Sequence, residues 1–390
     1  MLNRFKLIPV GLLLAVIISC NLKPKAKETK EPEKVVATQD TVVAPPAHNA
    51  TDDLVAFIAG VPGAENPAYV KIDSATNWKA YSKELDDLFT LGDTLRIKKM
   101  ENWADSELIR DPAIKNLFYP FSGPDFLNAN IFYKDIDQII MIGLEPVGSL
   151  PDVLTMKTDA VKKYMYGVTS TMVDLMKRSY FITAHMDSDL SRAKINGTLP
   201  MISIFMKRRG YFINEVNKIG VDSVGNLLVL DSLKSTKKHF VRGIKISYSV
   251  PGSTKVQSVL YFRSDISDKG LLNTPGFKSY LAHQPKSYTY LKAASFLMHF
   301  DEFSVIRNTI FDISNTILQD DSGIAYKYFD KTKWDIRLYG KYSKPRKEFD
   351  YILETDLENA FKTSKVKPLT YTLGYNWRND HTSLLYAIKK

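Results

Sequence analysis

Cysteine is nearly absent from the chain: its 390 residues include one, Cys20. A single sulfur excludes a disulfide scaffold and a cysteine metal cluster, because both need several cysteines. The sequence also lacks a P-loop, a Gly-x-Gly-x-x-Gly turn, a Gly-x-Ser-x-Gly nucleophile turn and a His-Glu-x-x-His pair. Nucleotide-dependent chemistry, α/β-hydrolase chemistry and the usual metalloprotease chemistry therefore have no support in the sequence. Hydrophobic residues make up 44% of the chain and charged residues 25%, which is typical of a globular protein.

The chain also lacks a concentrated block of one charge. Lys and Arg number 53 against 43 Asp and Glu, and the resulting net charge of +10 is spread along the sequence. Basic clusters at 207–209 and 237–239 could meet anionic glycans or lipid headgroups, although a solvated face is their ordinary explanation. No nucleic-acid recognition motif accompanies them, so we predict no nucleic-acid partner.

The amino terminus has the pattern of an export signal. Arg4 and Lys6 precede an apolar run at 7–18, which is shorter than the roughly 20 residues of a membrane-spanning helix. The run leads into a string that resembles the lipobox of bacterial lipoproteins, Ile17-Ile18-Ser19-Cys20. This resemblance implies a lipoprotein signal peptide at 1–19. The mature chain would then begin at Cys20, carry acyl chains there and have the membrane as a partner.

The next segment, 20–52, has the composition of a flexible tether. It is rich in Lys, Glu and Pro and contains no aromatic residue, so it cannot bury enough apolar surface to offset its ordering entropy. No acidic cluster follows Cys20 of the kind that resembles a surface-export signal. We therefore expect a protein of the cell envelope, lipid-anchored to the outer membrane and facing the periplasm, with its globular region at 53–390.

Periodic hydrophobic patterns predict helices and strands within that region. Helical spacing occurs in five segments, namely 78–89, 161–176, 201–219, 288–298 and 304–317. Strand patterns occur in six, namely 138–144, 244–250, 256–262, 334–340, 369–375 and 383–388. The segment 138–144 is apolar as in a strand buried on both faces, and 244–262 contains a Pro-Gly turn that predicts a hairpin. We predict an α+β (mixed α/β) fold with helices packed on a mixed sheet.

Two features raise the question of a second lobe. The interval at 186–198 is polar, and we take it as the boundary if two lobes exist. The strings at 121–126 and 321–326 share a Ser-Gly pair and are each followed by a strand pattern. Two similar lobes would explain the echo, whereas chance resemblance is the simpler explanation.

Several acidic residues adjoin Gly or Pro, where a rigid turn can present a carboxylate. Two carboxyl groups about 5–10 Å apart would suffice for glycoside hydrolysis, although an Asp beside a turn more often caps a helix or closes an Asx turn. Glu145 directly follows an apolar strand, and α/β folds place ligands at the carboxyl ends of strands. We predict that the catalytic candidates Asp125, Glu145 and Asp321 surround one cleft. The binding candidates beside them are Ser122, Asp320 and Ser322.

The sequence gives less support to an aspartic protease or to a metal site. Asp321-Ser322-Gly323 matches an aspartic protease loop in three letters, but the corresponding first position of the other string is Phe121, so the second aspartate is missing. His185-Met186-Asp187 and His299-Phe300-Asp301 offer nitrogen and oxygen ligands at close spacing. Such pairs are common on solvated surfaces. We predict no metal and no cofactor.

Two pairs of strings are distinctive enough to carry a resemblance: 119–126 with 143–146, and 317–323 with 338–342. They resemble a group of uncharacterised exported lipoproteins of the Bacteroidetes type. The resemblance implies an envelope address and contributes no mechanism, because that group has no known activity.

Two function classes remain open at this point. The first is a non-catalytic envelope lipoprotein that binds a glycan, a peptide or a membrane partner. The second is a glycan-directed envelope hydrolase that uses loop carboxylates. We favour the first because no complete catalytic set can be assembled from the sequence. Whether the protein is an enzyme stays open.

Overall fold

A computed structural model describes residues 49–62, 67–178, 195–230, 239–294, 296–342, 345, 351–376 and 382–390. The predicted signal peptide, Cys20 and nearly all of the predicted tether lie outside these residues. Helix α1 (Ala50–Ile58) begins a few residues before the predicted start of the globular region at 53, with Asn49 as its N-cap. No helix among the described residues is long and apolar enough to cross a membrane.

The described strands form one mixed sheet of eleven, which confirms the predicted α+β class. They are β1 (Asn116–Tyr119), β2 (Gln138–Gly143), β3 (Phe212–Val221), β4 (Leu227–Leu230), β5 (Val241–Ser249), β6 (Val256–Arg263), β7 (Ser287–Leu291), β8 (Ser314–Asp320), β9 (Trp334–Gly340), β10 (Val366–Lys367) and β11 (Ser383–Lys389). Their order is β10-β9-β11-β8-β7-β1-β2-β6-β5-β3-β4. The five central strands, β8-β7-β1-β2-β6, are all parallel. Their carboxyl ends therefore meet at one edge.

The remaining described helices cover the sheet and connect its strands. They are α2 (Pro67–Thr76), α3 (Trp78–Gly92), α4 (Lys98–Glu107), α5 (Phe126–Phe132), α6 (Thr158–Arg178), α7 (Thr198–Arg208), α8 (Asp268–Asn273), α9 (Pro275–Ala282), α10 (Ser304–Ile313) and α11 (Thr355–Thr363). One hydrophobic core contains side chains of α1 to α7, and a second contains side chains of α8 to α11.

Strand β2 shows how the sequence produces these two layers. Its side chains alternate between them: Ile139 and Met141 belong to the first core, and Ile140 and Ile142 to the second. All four are buried. An apolar run without alternation is therefore required, because each face of the strand meets a layer of helices.

Four predicted elements are wrong. The segment 201–219 is not one helix: α7 ends at Arg208, Gly210 adopts φ +81°, and β3 follows. The stripe that runs to Ile317 combines α10 with the first half of β8, and 288–298 contains β7 instead of a helix. In 369–375 the described backbone has no strand.

The structure bears on the possibility of two lobes. The strings at 121–126 and 321–326 follow β1 and β8, which lie in the same sheet on either side of β7. Residues 43–390 form one compact unit. Most of the predicted boundary at 186–198 lies outside the described residues, and its last residue is the first of α7.

Candidate functional site

A cavity of about 130 Å³ lies at the carboxyl ends of β1, β2, β6 and β7. Each of these strands supplies part of its wall through the turn that follows it: Phe121 to Gly123 after β1, Leu144 and Glu145 after β2, Ser264 and Asp265 after β6, and Lys292 to Ala294 after β7. Open α/β sheets bind ligands at this edge, because the loops that follow parallel strands converge there. The topology therefore marks this cavity as the candidate site.

The turn after β1 is strained. Phe121 has φ +58° and Gly123 has φ +50°. A bulky non-glycine residue rarely adopts such a backbone. The Ser122 N–H donates to the carbonyl of Ile142 on β2 at 2.9 Å, which fixes the turn against the neighbouring strand. Backbone strain of this kind concentrates at functional sites, where the surrounding structure maintains it.

Asp125 follows that turn and is buried as the N-cap of α5. Its Oδ1 accepts from Asn128 Nδ2 at 2.7 Å, and its Oδ2 accepts from the Tyr119 hydroxyl at 2.9 Å. Lys292 Nζ, at the end of β7, forms an ion pair with the same Oδ2 at 2.6 Å. The two charged side chains are only 2% and 3% exposed. A buried pair of opposite charges thus connects the turns after β1 and β7 in the cavity wall.

The turn after β7 is fixed by hydrogen bonds to the last residue of β8 and to the turn that follows β8. Ala293 has φ +51°, and its N–H donates to Asp320 Oδ2 at 2.9 Å. The next N–H, of Ala294, donates to the Ser322 hydroxyl at 2.8 Å. That hydroxyl in turn donates to Asp320 Oδ1 at 2.6 Å. Asp320 and Ser322 therefore position the cavity wall from outside the cavity.

Glu145 is buried at the end of β2 and lines the cavity. The Tyr261 hydroxyl donates to the backbone carbonyl of Glu145 at 3.0 Å and lies 3.4 Å from its Oε2. Gly143 is required beside it, because a Cβ there would lie 2.7 Å from the Tyr261 hydroxyl and 3.2 Å from Gly123 Cα. Glu145 is thus fixed between β2 and β6.

The structure divides the predicted site residues into two groups. Asp125, Glu145 and Ser122 line the cavity. Asp320, Asp321 and Ser322 lie outside its lining: Asp320 is the last residue of β8, and Asp321 and Ser322 belong to the turn that follows. The sequence reasoning missed Lys292, because 288–298 has helical spacing and the strand β7 that ends there was not recognised.

Asp321 lies in a different environment from the cavity acids. Burial raises the pKa of Asp321 well above its usual range, and the neighbouring carboxylates of Asp320 and Glu354 raise it further. Burial also raises the pKa of Asp320, although its hydrogen bonds from Ser322 and Ala293 oppose that shift. The two adjacent aspartates therefore differ in role: Asp320 holds two turns together, and Asp321 is a buried acid beside other acids.

We predict opposite effects on stability for the two aspartates. Asp320→Ala removes the acceptor of the Ala293 N–H and the Ser322 N–H, so the free energy of unfolding should fall by about 2–3 kcal/mol. Asp321→Asn replaces an acid whose ionisation is opposed by burial and by the neighbouring carboxylates with a neutral side chain, so it should melt at the wild-type temperature or above it. Thermal and urea denaturation of both variants measures this. A loss for Asp321→Asn as large as that for Asp320→Ala would contradict the assignment.

A second buried acid, Glu354, faces His299. The His299 Nε2 and Glu354 Oε1 atoms are 3.7 Å apart, and the side chains are 7% and 10% exposed. Burial raises the pKa of Glu354 to about 7, against a smaller opposing effect of its bond from the Tyr326 N–H. Burial, and next the positive charge of Lys327, lowers the pKa of His299 to about 4. Both groups are therefore uncharged over a wide range around pH 5 to 6.

The opposite pKa shifts of Glu354 and His299 predict a pH dependence of stability that becomes visible when Glu354 is replaced. The raised pKa of Glu354 makes stability fall as the pH rises from 4.5 to about 7, because only the folded chain keeps the proton. The lowered pKa of His299 makes stability rise from about 4 to 6.5, because only the unfolded chain is protonated. In the wild type the two slopes cancel between these limits. Glu354→Gln removes the falling contribution, so that only the rising contribution of His299 remains. The free energy of unfolding of this variant should therefore increase by about 3 kcal/mol between pH 4.5 and 6.5 relative to the wild type.

Urea denaturation at four or five pH values measures both curves. His299→Gln serves as the matched control. It removes the rising contribution, so its stability should fall with pH through the contribution of Glu354. Parallel curves for the wild type and both variants would show that these two groups titrate with ordinary pKa values.

Metal-binding residues do not cluster in the described part of the chain, where no group of three His, Cys, Asp or Glu side chains is placed to hold an ion. His185 and Asp187 lie outside the described residues. The His299 side chain is largely buried next to Glu354, and Asp301 is exposed.

Comparisons with known proteins leave the site to be interpreted from its own geometry. No protein-family model matches the chain, and no curated protein is significantly similar to it in sequence.

Proposed function

We propose that this protein is a lipid-anchored, non-catalytic envelope protein that binds a small ligand, or one terminal group of a larger glycan or peptide, in the cavity at the strand ends. The observation that carries the proposal is the cavity itself, at the carboxyl ends of four neighbouring parallel strands. Two of its walls have non-glycine residues, Phe121 and Ala293, with positive φ. Conformational strain in two turns of one cavity indicates a requirement beyond stability.

The hydrogen bonds and the ion pair of Asp125 support binding over hydrolysis. A glycoside hydrolase needs two carboxyl groups that exchange protons with the substrate or attack it. Asp125 already accepts from Tyr119, Asn128 and Lys292, and Asp321 lies outside the cavity lining. Of the three predicted catalytic residues, the cavity lining thus contains Asp125, which already has these three partners, and Glu145, so binding is the better supported function.

The location in the cell envelope is the second part of the proposal, and it rests on the sequence. The lipobox-like string that ends at Cys20 and the polar segment after it support a mature protein held by acyl chains on the outer membrane, facing the periplasm. The strings that resemble exported lipoproteins of the Bacteroidetes type include the cavity residues Tyr119, Asp125 and Glu145. This overlap favours the cavity as the feature that such a group would share.

Blocking the cavity tests the binding proposal. Ser264 lies half-buried in the cavity wall, so Ser264→Trp should fill the space without removing a charge. Ser106, exposed on α4 and not part of the lining, provides the matched control Ser106→Trp. Each immobilised protein is incubated with the low-molecular-weight fraction of a bacterial envelope extract, and the retained compounds are measured by mass spectrometry.

We expect the wild type and Ser106→Trp to retain a compound that Ser264→Trp does not. Circular dichroism and thermal melting establish that both variants are folded. Equal retention by all three folded proteins would contradict a ligand site in this cavity.

A further inference from the structure

The charged side chains of the cavity wall restrict the class of ligand. Three lining residues carry carboxylates (Asp125, Glu145 and Asp265), and one, Lys292, carries an ammonium. The excess of carboxylates disfavours an anion. The ammonium of Lys292 and the carboxylate of Asp125 compensate each other in a buried ion pair at 2.6 Å. The carboxylates of Glu145 and Asp265 remain as acceptors in the lining, and a ligand hydroxyl can donate to a carboxylate without being charged itself.

The same wall offers hydrogen-bond donors and acceptors side by side. Lys292 is a donor, Glu145 and Asp265 are acceptors, and the hydroxyls of Ser122 and Ser264 can act as either. A ligand hydroxyl is the neutral group that both donates and accepts. Several neighbouring hydroxyls can therefore satisfy this wall without bringing a charge into it.

Part of the lining is apolar. Phe121 and Phe303 approach edge to face, with ring centroids 5.8 Å apart, and both are half-buried. Leu297 and Ile266 add further apolar surface. A ring with hydroxyls at its edge and C–H groups on its face matches a lining that combines polar and apolar side chains.

The volume limits how much of the ligand can enter. The volume of about 130 Å³ is below the roughly 300–1,000 Å³ of a pocket for a drug-sized molecule. The cavity therefore suits one ring or one terminal group better than an extended ligand.

We infer that the cavity binds a neutral polyhydroxylated ring, such as a single sugar residue or the end of a neutral glycan. This inference rests on the proposed binding function and specifies its ligand class. A neutral amide, as in a peptide, is the nearest competitor. We favour the sugar because each amide has only one N–H and one carbonyl, whereas a sugar ring presents adjacent hydroxyls to adjacent acceptors and donors.

Saturation-transfer NMR with defined probes tests the ligand class on the full chain. The neutral sugars are glucose, galactose and N-acetylglucosamine. The comparison probes are benzylamine as a cation, benzoate as an anion and N-acetylalanine methylamide as a neutral amide. Every probe is measured with the wild type, Ser264→Trp and Ser106→Trp. We expect at least one sugar to bind with a dissociation constant of about 1 mM or lower, and Ser264→Trp to weaken it at least about tenfold.

The outcomes separate the two proposals. Binding of the amine, the anion or the amide that Ser264→Trp abolishes, without sugar binding, would overturn the ligand class and leave the binding function intact. If no probe binds, the inference of a sugar ligand is wrong. If in addition the cavity-blocking variant retains the same envelope compounds as the wild type, the binding function is wrong as well.

Discussion

Lys292→Met is expected to lower the free energy of unfolding by about 3–5 kcal/mol, because it leaves the carboxylate of Asp125 buried without its cation. The Nζ–Oδ2 distance is 2.6 Å and both side chains are almost completely buried. Removal of one partner of such a pair costs more than the pair contributes, since the remaining charge has lost its solvation and its counterion. Urea denaturation at pH 7 measures the change.

Two further variants make this result specific to the ion pair. The double variant Asp125→Asn/Lys292→Met should lose less stability than Lys292→Met alone, because it removes the uncompensated charge as well. Lys83→Met removes a cation from the exposed pair with Asp87 and should unfold like the wild type. If the double variant loses as much stability as Lys292→Met or more, the two charges do not act as a pair.

Cys20→Ala is expected to move the protein from the membrane fraction to the soluble fraction, or to leave an unprocessed precursor. The lipobox-like string places the sole cysteine at the predicted acylation position. Each buried methylene of an acyl chain contributes about 0.8 kcal/mol, so the loss of several chains removes essentially all membrane affinity. Fractionation and labelling with a radioactive fatty acid measure the effect.

Asn21→Ala is the matched control for this prediction, because it alters the adjacent residue and retains the thiol. It should be labelled and should sediment like the wild type. Undiminished labelling of Cys20→Ala would reject acylation at this residue.

The strands were predictable where each one carries a local signal. β2 is an uninterrupted apolar run that contacts both helical layers, and β5 and β6 flank a Pro-Gly turn, so composition and spacing indicate them directly. Two of the errors occurred where a helix and a strand adjoin. In 304–317 the isoleucine stripe continues from α10 into β8, where Ile313 and Ile317 are both core residues although they belong to different elements. A hydrophobic period alone does not mark such a junction.

The candidate site was predictable only for residues next to a recognisable strand end. Glu145 directly follows β2, and Asp125 caps the helix after the β1 turn, so both belong to a part of the chain with clear signals. Lys292 has no such signal, because it depends on β7 pairing with β1 in parallel at a separation of about 170 residues in the chain. The ion pair that joins the two turns exists only in the folded sheet.

The most direct test of the central claim, that the cavity at the strand ends holds the ligand, uses the absence of other cysteines. In a Cys20→Ala background, Ser264→Cys places one thiol in the cavity wall, and Ser106→Cys places one on an exposed helix outside it. The rate of labelling by a small thiol reagent is measured with and without the compounds that the wild type retains. We predict that these compounds slow the labelling of Ser264→Cys by at least about tenfold and leave Ser106→Cys unchanged. Labelling of Ser264→Cys at the same rate with and without them would contradict a ligand in this cavity.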